Sequence, residues 1–270
     1  MRPGCAAVLI LALAAPAAAQ PLAIDGSFVQ GGLAHGKAAP GAGVVFEGRP
    51  LPVTKDGRFL IGFAHDAGPA VKLIVAWPDG REELRQLEIG KRKYKVQRID
   101  GLPKRKVTPE PRDLARIEAE AALLNAARAR ATAEALSAGR FVWPARGRVS
   151  GVYGSRRILN GETRAPHLGV DIAAPVGAPV MAAADGVVSL IHPDMFFTGQ
   201  TVMIDHGLGL SSIYIHMSAI LVKEGERVTQ GQAVGCIGAT GRATGPHLHW
   251  GVAWFDVRLD PALLVGPMPK

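Results

Sequence analysis

Cysteine is almost absent from this 270-residue chain, which has only Cys5 and Cys236. Cys5 falls in the opening segment MRPGCAAVLILALAAPAAAQ, where Arg2 and an apolar stretch are followed by Pro16, Ala17, Ala18 and Ala19. That is the order of a secretory signal peptide with a small-residue cleavage site, so cutting is predicted after Ala19. Once it is removed Cys236 stands alone, and no intramolecular disulfide can form even though an exported chain would tolerate one. Cys236 lies in the strand-like run AVGCIGA and reads as a buried small hydrophobe rather than a nucleophile. Cys5 precedes the apolar run, where a lipid-attachment cysteine would follow it.

Long apolar runs are lacking as well. The strongly apolar run at the start is about ten residues against the ~20 that a spanning helix needs, so no stable transmembrane span is expected after cleavage. There is no GxSxG elbow to make Ser211 or Ser212 a nucleophile. The loop GATGRATG has Pro246 where a phosphate loop needs lysine, so it reads as a tight turn. Negative charge is in deficit: Asp and Glu number 23 against 31 Lys and Arg, a net charge of +8. The excess favours an anionic partner surface, which for an exported chain means envelope polymers or lipid headgroups. The basic residues are scattered and no DNA-binding motif accompanies them, so a nucleic-acid partner is not expected.

The chain is predicted to be mainly β, with an N-terminal small β-sandwich, a connecting α-helix and a C-terminal antiparallel-β domain. From 20 to 105, GVVFEG, RFLIGFA, VKLIVAW and EELRQLEI read as short strands separated by turns at Asp56-Gly57 and Asp79-Gly80. His35 and His65 lie here, apart from each other, and read as surface or packing residues. The basic stretch KRKYKVQRIDGLPKRKV leads into a helical linker, 106–140. Residues 112–140 are rich in Ala, Leu, Glu and Arg and are predicted as one helix. In it Leu114, Ile117, Ala121, Leu124, Ala127 and Ala131 form an apolar stripe. From 141 to 265 the composition turns glycine-rich and β-like.

Histidine concentrates in that last part. Of eight histidines, five fall between His192 and His249, and His167 lies just upstream in APHLGVDIAAP. In GPHLHWGV a strand places His247 and His249 on one face and Leu248 on the other. His167 and Asp171, four apart around Gly169, bring an imidazole near a carboxylate. With His249 they make a His-Asp-His set that suits zinc and leaves a fourth tetrahedral position for water. His247 is then placed to accept a proton, and His216, in SIYIHMS, to orient the water or stabilise an oxyanion. The spacing equally suits a buried polar pair and a salt bridge, so these residues alone leave both readings open. His206, in IDHGLG, reads as structural, and His192 beside Pro193 as an exposed loop residue.

Taken together, HLGVD, DHGLGLSSIYIHMS and TGRATGPHLHW resemble the lysostaphin-type (LytM-like) zinc metallopeptidases that cut peptide bonds in bacterial cell-wall peptidoglycan. The resemblance covers 141–264. It implies a largely antiparallel β domain with a metal-holding groove, the duplicated hybrid motif fold. It further implies one Zn²⁺ per chain on His167, Asp171 and His249, with His247 as base and His216 as second catalytic histidine. The substrate it implies is peptidoglycan peptides, met in the periplasm or cell envelope, with room for a regulatory envelope protein. The alternative is a non-catalytic envelope module that binds and activates a separate cell-wall amidase. Such relatives usually lack several of the zinc-site residues, and here none is missing.

Overall fold

A computed structural model of the chain describes residues 22–130, 132–137 and 140–269, and the predicted signal segment 1–19 lies outside them. Strands form where the apolar residues alternate. In Ala70–Ala76, Leu73 and Val75 are buried while Lys72 and Ile74 face outward. That strand belongs to an antiparallel sheet ordered Arg49–Pro50, Gly43–Phe46, Ala70–Ala76, Glu82–Glu88. A second sheet is ordered Ala23–Gly26, Leu33–Lys37, Arg58–Gly62. Phe59 and Ile61 from one sheet and Leu73 and Val75 from the other are fully buried in a common core, the predicted sandwich.

That core runs on without a break into the C-terminal half, through Leu248, Trp250, Val252 and Trp254. Phe46 meets Trp254 edge to face at 5.8 Å. A Cβ at Gly62 would lie 2.9 Å from the Trp254 Cβ, so glycine lets the two halves approach. The basic stretch also crosses over: its strand Val96–Ile99 pairs in parallel with Arg156–Leu159 rather than with the sandwich.

The helix is shorter than predicted. It spans Pro111–Arg128, after a short helix at Lys104–Val107, and does not continue to 140. Beyond it the backbone finds partners on the tip of a C-terminal hairpin instead of its own previous turn. Thr132 O accepts from Leu208 N at 2.8 Å, and Leu136 N donates to His206 O at 3.0 Å. The apolar stripe also fails in part. Leu114 and Ala121 are exposed, Ile117 and Leu124 half-buried and Ala127 buried, and Ala131 lies outside the described residues. The buried positions include Asp113, Glu120 and Arg128, because each finds a polar partner; Glu120 Oε2, for one, accepts from Phe196 N at 2.7 Å.

The C-terminal part is a ten-stranded sheet whose main path runs Arg227–Val228, Gly186–Met195, Gly199–Gly207, Leu210–Ile220, His247–Trp254, Val170–Ala173, Arg148–Gly151. His192 is half-buried within the strand Gly186–Met195, not on an exposed loop, since the run either side of it pairs with Gly199–Gly207. Cys236 is half-buried. Among the described residues, no helix is long and apolar enough to cross a membrane.

Candidate metal centre

His247–Trp254 lies between Leu210–Ile220 and Val170–Ala173, and this position assembles the site. Alternation turns His247 and His249 to one face and leaves Leu248 fully buried on the other. The register sets Asp171 opposite His249 and Ala173 opposite His247. His167, in the turn leading into Val170–Ala173, is anchored by its backbone N–H on Ser155 O at 2.8 Å.

His167 Nε2 and His249 Nδ1 lie 2.9 and 2.8 Å from Asp171 Oδ1, and 2.9 Å from each other. Among the described residues these three form a group able to hold a metal ion, with all ligand atoms within 4.8 Å. The orientation of His167 is fixed at its other nitrogen, where Nδ1–H donates to Val152 O at 3.2 Å, leaving Nε2 as a lone pair. Arg157 Nη2 holds the second carboxylate oxygen, Oδ2, at 2.9 Å. Nitrogens and a carboxylate oxygen this close repel unless a proton or cation lies among them, and two imidazoles with one carboxylate suit Zn²⁺. Glycines clear the space: a Cβ at Gly151 would lie 2.2 Å from Asp171 Oδ2, and one at Gly169 2.6 Å from His249 Nε2.

Burial opposes the charge on Asp171, but hydrogen bonds and charge from His167 and His249 outweigh it and hold the carboxyl well below the ordinary range. Burial lowers His249 to about 4 despite the adjacent Asp171.

His216 and His247 complete the group, with ring centroids 4.8 Å apart. His216 Nδ1–H donates to Thr240 O and His247 Nδ1–H to Gly245 O, both at 2.8 Å, so each ring keeps Nε2 free. Burial, then the neighbouring His247 and His249, lowers His216 to about 3, so its ring is neutral at pH 7. His216 also has φ +65°, a left-handed backbone that a non-glycine residue rarely adopts. The other histidines stay out of the group. His206 is buried, with Nδ1 on Asp185 O at 2.7 Å and Nε2 on Ser212 Oγ at 2.8 Å. His35, exposed, and His65, half-buried, lie in the N-terminal half.

Sequence reading did not single out Arg157. In RRIL each arginine shares a strand face with an apolar residue, Arg156 with Ile158 and Arg157 with Leu159, so the sequence does not distinguish them; in the structure the Leu159 face is the buried one, and Arg157 goes with it.

The family model of peptidase family M23 matches residues 165–261. A crystal structure of a candidate peptidase M23 from Pseudomonas aeruginosa superposes with TM-score 0.70 at 34% identity, covering 88% of this chain and 95% of that one. The chain belongs to peptidase family M23. His167, Asp171, His216, His247 and His249 all fall inside the M23 match, and Arg157 lies outside it. Among other relatives, the peptidoglycan DD-endopeptidase ShyA of Vibrio cholerae is 45% identical over 106 residues, 38% of this chain and 24% of its own length. ShyC of the same organism is 47% identical over 125 residues, 46% of this chain and 28% of its own. The chain thus spans about a quarter of the length of these M23 relatives.

Proposed function

We propose that this M23 chain is an exported, zinc-dependent endopeptidase that hydrolyses peptide bonds of peptidoglycan, with one ion per chain held by His167, Asp171 and His249. The observation that carries this reading is the meeting of three ligand atoms beside two further histidines, each with a free Nε2. The names of ShyA and ShyC support the choice of substrate. Zinc held there would supply Lewis acidity for the scissile carbonyl and activate water at neutral pH.

This chain's own residues then divide the proton work. His247 Nε2 takes the proton of the attacking water and returns it to the leaving amine. His216 Nε2, unprotonated at pH 7, accepts a hydrogen bond and so orients that water; a ring without a proton at Nε2 cannot donate to an oxyanion. By this reading a sandwich-like part, 20–105, and a helical linker, 106–140, precede the peptidase part, 141–265, and Gln97, Ile99 and Leu102 line the cleft next to His247.

His247→Ala and His216→Ala should each keep the metal and lose about 10² to 10⁴ in turnover on purified cell wall. His249→Ala should purify with far less zinc. Zinc content and released peptides are measured on the same preparations. Equimolar zinc in His249→Ala would remove that ligand from the set, and full turnover in either other variant would remove that histidine from the chemistry. A zinc-loaded wild-type protein with no turnover would leave a binding module that acts through a separate amidase.

A further inference from the structure

On the His167 and His249 side of the centre lies a cavity of about 360 Å³. Five arginines line it, Arg128, Arg157, Arg164, Arg242 and Arg258, and no described acidic residue does. They come from separate segments, so no single run of basic sequence accounts for them.

Their internal partners are few. Arg128 is 7% exposed; its Nη1 donates to Asn125 Oδ1 at 3.0 Å and its Nε has no partner. The Nε atoms of Arg157 and Arg164 are also unpartnered. Arg157 pairs with Asp171, and Arg164 with Glu162, Val107 O at 2.9 Å and Thr108 Oγ1 at 3.3 Å, while Arg242 has no carboxylate partner, donating to Lys106 O at 3.4 Å and lying over the Phe197 ring at 4.5 Å. Burial, then the charge of Arg258, lowers Arg128 to about 9, and burial lowers Arg258 to about 10; both remain cations at pH 7. Arg128, Arg242 and Arg258 make no ion pair among the described residues; guanidinium groups withdrawn from water without counter-ions are costly, and a planar fork matches a carboxylate in two parallel hydrogen bonds. Leu124 and Ile213 give the same cavity an apolar wall for the carbon skeleton that carries such a group.

We propose that this cavity is a carboxylate-binding subsite, so that the preferred substrate is a peptide with a free carboxylate close to the bond that is cut. The inference rests on the peptidase reading above and adds to it the chemical class of substrate. An uncharged cross-link peptide would leave the arginines facing one another, whereas a carboxylate beside the scissile bond both pairs them and places the carbonyl at the metal centre. The carboxylate has two sources in a peptide, its C-terminus and an acidic side chain.

The test is isothermal titration calorimetry on the metal-free full chain, using a short wall-derived peptide with one C-terminal and one side-chain carboxylate. Four forms are compared: the free acid, each single amide and the double amide. The free acid should bind about tenfold or more tightly than the double amide. The single amide that loses the same factor identifies the carboxylate that is read. In Arg128→Gln and Arg242→Gln the ratio of acid to amide affinity should fall toward one, with the ratio of kcat/KM values in the zinc-loaded protein falling alongside. Melting temperature should hold or rise, because an unpaired buried charge has been removed.

Equal binding of acid and double amide by the wild-type protein overturns the proposal without need of any variant. So does a ratio unchanged in both variants, or inorganic phosphate binding more tightly than the free acid. Equal cleavage of acid and amide peptides would sink the subsite and leave the peptidase reading intact. Discrimination in binding with no cleavage of either would do the reverse.

Discussion

The histidines of the C-terminal half differ in what holds their ring nitrogens. A backbone carbonyl on Nδ1 leaves His216 and His247 with a free Nε2 and turns that of His167 toward Asp171 and His249, whereas His206 has both nitrogens engaged and no atom left over. Burial lowers His206 to about 4 from the ordinary 6.5. Its folded pKa is depressed, so its neutral ring contributes full stability above pH 6.5. That contribution is lost as pH falls toward 4, where the unfolded chain takes up a proton that the folded chain refuses. The loss is on the order of 3 kcal/mol for this one group. Urea denaturation of the metal-free protein between pH 7.5 and 4.5 should show stability falling with pH, and His206→Gln should flatten the slope. His216 and His249 shift in the same direction, so the difference in slope between wild type and variant is the quantity to read. An identical slope would assign the acid sensitivity elsewhere.

Two elements owe their form to contacts made elsewhere. The strand Leu210–Ile220 departs from regular register against Gly199–Gly207 between Gln200 and Val202, and near that break His216 takes its left-handed backbone, with its N–H on Thr198 O at 2.8 Å. That irregularity brings its ring to the site, since a regular strand would alternate past it. The helix Pro111–Arg128 docks through polar side chains: Glu120, 8% exposed, accepts from Phe196 N and from Arg116 Nε at 2.6 Å. Glu120→Ala should strand the buried Phe196 N–H and cost about 1 to 3 kcal/mol in chemical denaturation. Glu120→Gln, which keeps an acceptor there, should cost less. Equal losses in the two variants would mean that packing, not the hydrogen bond, holds the helix in place.

At the scale of the molecule, the sandwich and the peptidase part share one core, so they should melt together. Phe46, 6% exposed and stacked edge to face on Trp254, sits at the junction. Phe46→Ala should destabilise the whole chain by about 3 to 5 kcal/mol, in a single calorimetric transition shifted to lower temperature. Two separate transitions, only one of them moved, would show that the halves fold independently. The parallel pairing of Val96–Ile99 with Arg156–Leu159 adds a second tie, and it ends within the cleft wall beside His247.

Short-range pattern was sufficient wherever the physics is local. The alternation in HLH puts both imidazoles on one face of any strand, and alternating apolar residues between Asp-Gly turns make sandwich strands whatever they pack on. The fold of the C-terminal part was legible only through the resemblance of the histidine motifs to the lysostaphin-type peptidases, which the M23 match bears out. What the tertiary structure decided is everything that depends on a partner distant in the chain. Helical propensity continued past Arg128, but the carbonyls and N–H groups of 132–136 found better partners on the hairpin at His206 and Leu208. Arg156 and Arg157 are identical in sequence terms, and only the neighbouring strands decide which one meets Asp171. The five arginines around one cavity are spread from 128 to 258, a grouping that no window of sequence contains, because burial and mutual approach are properties of the folded chain alone.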